Sequence, residues 1–123
     1  MAVPSVPDTK EMLQKDLYVI FTRGVAPREE IMKLLPDHLA HQVSLEKQGI
    51  LFAAGPMEAE EEGKPRTGMI IVRADSFEHA HEIAMSDPLH SSGLREFDIW
   101  NWSMNEGSFT ATINFSDQSV KFE

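Results

Sequence analysis

An α+β domain with the order strand–helix–strand–strand–helix–strand is predicted over residues 16–103. Three observations predict it. Runs rich in β-branched and aromatic residues recur at Leu17–Thr22, Ile50–Ala54, Gly68–Ala74 and Arg95–Met104. Two stretches with the apolar spacing of a helix lie between the first and second runs and between the third and fourth. Turn and helix-stop residues separate these segments: Gly24, Gly49, Gly55-Pro56 and Asp87-Pro88.

Residues 1–15 form an N-terminal extension. Met1–Pro7 carries two prolines and is expected to be loosely attached. Asp8-Thr9-Lys10-Glu11 has the pattern of a capping box with Asp in the first position, predicting a short helix to about Lys15. Leu17–Thr22 is the first strand. In Arg28–Gln48, Ile31, Leu35, Leu39 and Val43 recur at helical spacing and Gly49 is a natural stop. Pro36 falls inside this stretch, and proline breaks a helix interior. The expectation is a short helix through about Leu34 and a main helix restarting near Pro36.

Ile50–Ala54 is the second strand, ended by Gly55-Pro56. The acidic run Glu58-Ala59-Glu60-Glu61-Glu62 then reads as a solvated loop. Gly68–Ala74 is the third strand. Ser76 is a candidate N-cap for a second helix to about Met85, with Phe77, Ala80, Ile83 and Ala84 as its apolar face. Asp87-Pro88 ends it, since the residue before proline is driven out of the helical region. Arg95–Met104 is the fourth strand. In residues 104–123, Phe109, Ala111, Ile113 and Phe115 alternate with polar residues, as in a half-buried strand. Ser116–Ser119 turns into a return strand at Val120–Phe122, making a C-terminal β-hairpin.

Two helices and four strands in this order suggest a ferredoxin-like sandwich, with both helices on one face of the sheet. The strands are apolar on both faces, however. Leu17, Val19 and Phe21 alternate with Tyr18 and Ile20; Ile50 and Phe52 with Leu51 and Ala53; Phe97 and Ile99 with Trp100 and Trp102. A large bare apolar face usually marks an interface. A second copy of the chain is therefore expected to cover it, giving a homodimer or higher oligomer; the alternative is that the C-terminal hairpin covers that face alone.

Composition narrows the chemistry. The 123 residues suggest one domain, large enough for a core without staples. The absence of cysteine excludes disulfides, thiolate metal sites and a Cys nucleophile. A net charge of −9 argues against a nucleic-acid partner. No secretory or membrane-spanning apolar run is present, so a cytoplasmic protein with no membrane partner is expected. Phosphate-binding glycine loops and the serine nucleophile elbow are also missing from the sequence.

Five histidines remain. His38 falls within the inward-facing arc of the first helix, and His41 lies at its edge. Asp87 stands at the end of the second helix, where a carboxylate meets the negative end of the macrodipole and needs compensation. His38-x-x-His41, His79-x-His81 and His90 are the candidates for a metal, but no third ligand follows at a diagnostic spacing, so neither metal nor cofactor is expected. Arg23, at the end of the first strand, is a candidate contact for an anionic substrate. Ser91, in the expected loop Ser91-Ser92-Gly93, is a candidate to shape a pocket near Asp87.

Pro36-Asp37-His38-Leu39, Gly49, Ala54-Gly55-Pro56, Ser76, Ser86-Asp87-Pro88 and Gly93, taken together, resemble the YCII-related (YciI-like) family over about residues 17–103. The tail that begins Asn105-Glu106-Gly107-Ser108 resembles a longer subgroup of it. The resemblance implies a dimeric α+β barrel, similar to muconolactone isomerase and small monooxygenases of like fold. It also implies an active site made from His38 and Asp87. One branch of the family is associated with dehydrochlorination of a chlorinated hydroquinone-type intermediate.

The leading functional expectation is a cofactor-independent small-molecule lyase or isomerase. His38 acts as general base or acid, and Asp87 holds the imidazole and raises its basicity. This requires the two side chains to meet. The alternatives are a non-catalytic binding or regulatory dimerisation module and, more remotely, a metal-dependent oxygenase using His38 and His41.

Overall fold

The computed structural model describes residues 8–123, and the expectation for Met1–Pro7 lies outside them. The described residues divide into two compact units, one of residues 16–103 and one of residues 8–15 with residues 104–123.

The larger unit has strands β1 (Lys15–Gly24), β2 (Leu51–Met57), β3 (Thr67–Val72) and β4 (Arg95–Met104). Its helices are α1 (Arg28–Lys47), α2 (Phe77–Met85) and the single turn α3 (Pro88–Ser91). The strand order is β2-β3-β1-β4. β3 runs antiparallel to both β1 and β2. Tyr18 stands opposite Val72 and Ile20 opposite Ile70, so these four share one face. They pack with Leu45 of α1 and with Ala80, Ile83 and Ala84 of α2; Phe97 and Ile99 of β4 close the same layer. Leu17, Val19 and Phe21 of β1 and Trp100 and Trp102 of β4 have the opposite parity and lie on the face away from the helices, where Leu17 and Val19 are nonetheless buried. Trp100 there is 64% exposed.

Several local expectations need correction. α1 is continuous through Pro36. A proline removes one helical hydrogen bond and crowds the preceding turn, but the segments on either side of it share one helix that lies against β2 and α3. Leu39 and Val43, expected to face inward, are 53% and 50% exposed; Gln42 and Leu45 are the buried residues of α1.

β2 does not end at Gly55-Pro56 but runs through it to Met57. It is an edge strand, the position in a sheet where proline is tolerated. A bulge between Leu51 and Ala53 puts Leu51 opposite Val72 and Ala53 opposite Ile71, so these two residues lie on different faces. Strict alternation through Phe52 therefore fails. Arg73 donates to the carbonyls of Gly49 and Leu51 and lies over the Phe52 ring.

In the smaller unit Asp8–Glu11 makes a turn, not a helix. Asp8 accepts from the Lys10 backbone N–H, and Met12 N–H bonds back to the Thr9 carbonyl. An Asx turn uses the same side-chain acceptor as a cap and competes with it. The expected hairpin is present as β5 (Ala111–Asn114) and β6 (Ser119–Phe122). Its strands are exposed on both sides, with Ile113 at 63% and Phe122 at 70%, so the expectation of a half-buried strand does not hold within one chain.

Candidate active site

The site forms where α1, α3 and the helix-covered face of the sheet meet. Ser76 caps α2, accepting from His79 N–H, and α2 ends at Ser86. Asp87 follows in extended backbone and is the N-cap of α3: its Oδ1 accepts from Leu89 N–H at 2.9 Å. The expected conflict with the α2 dipole is thus resolved, because the carboxylate serves the start of the next turn rather than the end of the last. Pro88 sits at the first position of that turn, where its missing N–H costs nothing.

His38 Nδ1–H donates to Asp87 Oδ2 at 2.6 Å. Gln42, one turn further along α1, donates its amide to the same oxygen at 3.2 Å. Asp87 is 2% exposed and the His38 side chain 19%. A nearly sealed anion therefore orients an imidazole that is itself part-exposed. Burial pushes the Asp87 carboxyl upward. The hydrogen bonds from His38 and Leu89, with the charges of His38 and His90, outweigh it and hold the group below the usual carboxylate range. Donation to the carboxylate leaves Gln42 Oε1 buried without a partner.

Further residues extend this centre. His90, 5% exposed, donates from Nδ1 to the Ala84 carbonyl at 2.8 Å, and its Nε2 lies 2.7 Å from Thr22 Oγ1. Arg95 donates to Thr22 Oγ1 and to the Thr22 carbonyl, both at 2.9 Å. Burial drives His90 below its ordinary value, against the opposing pull of the Ala84 carbonyl and Asp87. Burial likewise lowers Arg95. Ser86 gives its hydroxyl proton to the Ile83 carbonyl at 2.5 Å and accepts from His41 Nε2 at 2.8 Å.

The structure thus brings His38 and Asp87 together. It does not bring Arg23 to them: Arg23 is on the open face of the sheet, paired with Asp98 at 2.9 Å and Glu96 at 3.4 Å. Ser91 is the last, exposed residue of α3 rather than part of a loop, and its hydroxyl reaches back to the Pro88 carbonyl at 3.5 Å. Sequence reasoning missed Thr22, Gln42 and Arg95, and considered His90 only as a metal ligand. Signals for them existed. Thr22 shares the parity of Tyr18 and Ile20, Arg95 that of Phe97 and Ile99, and Gln42 follows His38 by four residues. Among the described residues no group of three or more His, Asp or Glu side chains is placed to hold a metal. A shallow apolar hollow of about 240 Å³, lined by Ala53, Gly55, Met57, Met69 and Ile71 among others, opens on the face opposite the His–Asp pair.

The YCII-related domain model matches residues 7–103. The chain belongs to the YCII-related family. The same fold occurs in 5-chloro-2-hydroxyhydroquinone dehydrochlorinase from Burkholderia phenoliruptrix, whose structure was solved in complex with 2,5-dihydroxybenzoquinone. That protein is 19% identical, with a TM-score of 0.58 over 71% of this chain and 93% of that one. Among curated proteins none matches this chain. The βαββαβ order and this likeness establish a ferredoxin-like α+β fold of the type found in dimeric α+β barrels, followed here by the hairpin of residues 111–122. Among the described residues no helix is long and apolar enough to cross a membrane.

Proposed function

We propose that this member of the YCII-related family is a small-molecule lyase or isomerase that works by proton transfer at His38. The observation that carries the reading is the 2.6 Å bond from His38 Nδ1 to a carboxylate that is 2% exposed and held by two further donors. With Nδ1–H committed to Asp87, the bare Nε2 is the atom that takes or returns a proton. Asp87 fixes the tautomer and stabilises the imidazolium formed during the transfer. The ligand is an activated small ring or enol, from which loss of a C–H or O–H proton permits elimination or isomerisation. The fold likeness to a protein solved with a dihydroxybenzoquinone supports a hydroxylated ring as the first class to test. Ser91, three residues along α3 from Pro88, is a ligand contact in this reading. Arg23 meets an anionic group only if the ligand reaches the opposite face.

The active form is a homodimer joined through the open sheet face. An apolar hollow and a Trp100 that is 64% exposed support that face as its interface. The alternative, a binding module without catalysis, draws on the same bare face.

Proton exchange separates the two. Hydroxyquinones and hydroquinones incubated with the protein in heavy water should exchange ring protons faster than in buffer, as read by NMR. His38→Asn should abolish the acceleration, lowering it by about 100-fold or more. Absence of exchange across the panel, or exchange indifferent to His38, contradicts the reading.

A further inference from the structure

The polar cluster contains a second imidazole, His90, that the proton-transfer reading does not use. Its hydrogen bonds determine where its proton sits. Arg95 can only donate, and its Nε–H donates to Thr22 Oγ1 at 2.9 Å while a terminal nitrogen donates to the Thr22 carbonyl. A hydroxyl that accepts from Arg95 still has one proton to give, and His90 Nε2 lies 2.7 Å away. Thr22 therefore donates to Nε2, which is bare. The ring proton is on Nδ1 and goes to the Ala84 carbonyl, which can only accept. The chain is one-way, with a permanent donor at one end and a permanent acceptor at the other. His90 is 5% exposed, and its ring lies 4.7 Å from that of Phe97. Gly68 leaves room for this arrangement: a Cβ there would stand 2.8 Å from Thr22 Cγ2.

We infer that Thr22 and Arg95 are positioning residues that lock His90 as a neutral Nδ1–H imidazole, leaving His38 as the one histidine able to exchange protons with Asp87 and a ligand. A cationic His90 would be a competing proton source beside the same carboxylate. The charged and titratable groups facing His90 are Asp87 from the start of α3, His38 from α1 and Arg95 from β4. Of these, Asp87 alone favours the cation. The role assigned to His38 rests on the proton-transfer reading; the lock on His90 does not.

Long-range ¹H–¹⁵N spectra of the full chain, labelled at histidine nitrogens, test the lock without a substrate. His90 is expected as a single neutral Nδ1–H tautomer at neutral pH, with its titration displaced to the acid side of an ordinary histidine's. Arg95→Met removes the permanent donor and a like charge, so Thr22 becomes free to accept from Nε2–H. The His90 midpoint should then rise by about one pH unit or more. Arg95→Lys, which keeps a cation and a donor, should stay near the wild type. Thr22→Val should mix the tautomers, and Thr22→Ser should keep the single one. A purely structural part for Arg95 leaves the His90 midpoint unmoved in folded Arg95→Met, and that result overturns the inference. So does an Nε2–H or cationic His90 in the wild type at neutral pH, which decides the matter even where a variant fails to fold. Loss of the proton-exchange result for His38→Asn would instead remove the catalytic reading and leave the His90 lock standing.

Discussion

Both faces of the four-stranded sheet carry apolar side chains, Tyr18 and Ile20 on one and Leu17 and Val19 on the other, but their polar chemistry differs. On the helix-covered face Thr22, Asp87 and His90 are buried: Thr22 bonds His90, and Asp87 is held by His38, Gln42 and Leu89. On the open face Arg23, Glu96 and Asp98 pair in solvent beside Trp100. The contrast lies in dielectric and freedom. A buried polar group left unpaired costs about 1–3 kcal/mol, so partners there are closely specified. An exposed ion pair is screened and loosely held. Precise proton positions can be built on the first face and not on the second, within one chain.

The largest test of that contrast is in the core. Ile20→Ala, on the covered face and 1% exposed, should cost about 3–4 kcal/mol by chemical denaturation. Asp87→Asn keeps the shape but loses the charge that His38, Gln42 and Leu89 serve. A loss of about 2 kcal/mol is expected, with the exchange activity gone. A loss below about 0.5 kcal/mol would deny Asp87 its place as an organising anion.

Acid provides a smaller effect. His90 and Asp87 both have folded values below their unfolded ones. In each case the unfolded chain takes up the proton first as pH falls, so stability present above the unfolded value is lost on the way down to the folded one. The loss should begin near pH 6.5 for His90 and near pH 4 for Asp87, taking about the unperturbed values as the unfolded ones. The melting temperature should thus fall from pH 7 to pH 5, and His90→Gln should flatten that part of the curve. An unchanged slope would place the acid sensitivity elsewhere. The smallest effect belongs to the open face: Arg23→Ala should change stability by no more than about 0.5 kcal/mol, because its partners are exposed.

Much of this arrangement was legible before folding. The four strands and the helix ending at Met85 follow from alternation, helical spacing and Ser76, because those signals are local. His38 and Asp87 were legible as an inward histidine and an ill-placed carboxylate. Their meeting across 49 positions was not, since periodicity assigns a face and not a neighbour. The continuity of α1 through Pro36 and of β2 through Pro56 was missed for one reason: in both, the tertiary setting absorbs a local defect. The bulge at Phe52 was missed because one extra residue leaves no mark in composition. Thr22 meets His90 of α3 and Arg95 of β4, and alternation within one strand reveals neither partner.

The central claim is that chemistry belongs to the covered face at His38. The most direct measurement is the chemical-shift map of the ¹⁵N-labelled protein titrated with 2,5-dihydroxybenzoquinone. The largest changes are expected at His38 Nε2, Asp87 and Ser91, with the Nδ1–H bond to Asp87 kept and the response abolished in His38→Asn. Changes confined to Ala53, Gly55, Met69 and Ile71 around the hollow on the open face, with His38 unmoved, would contradict it.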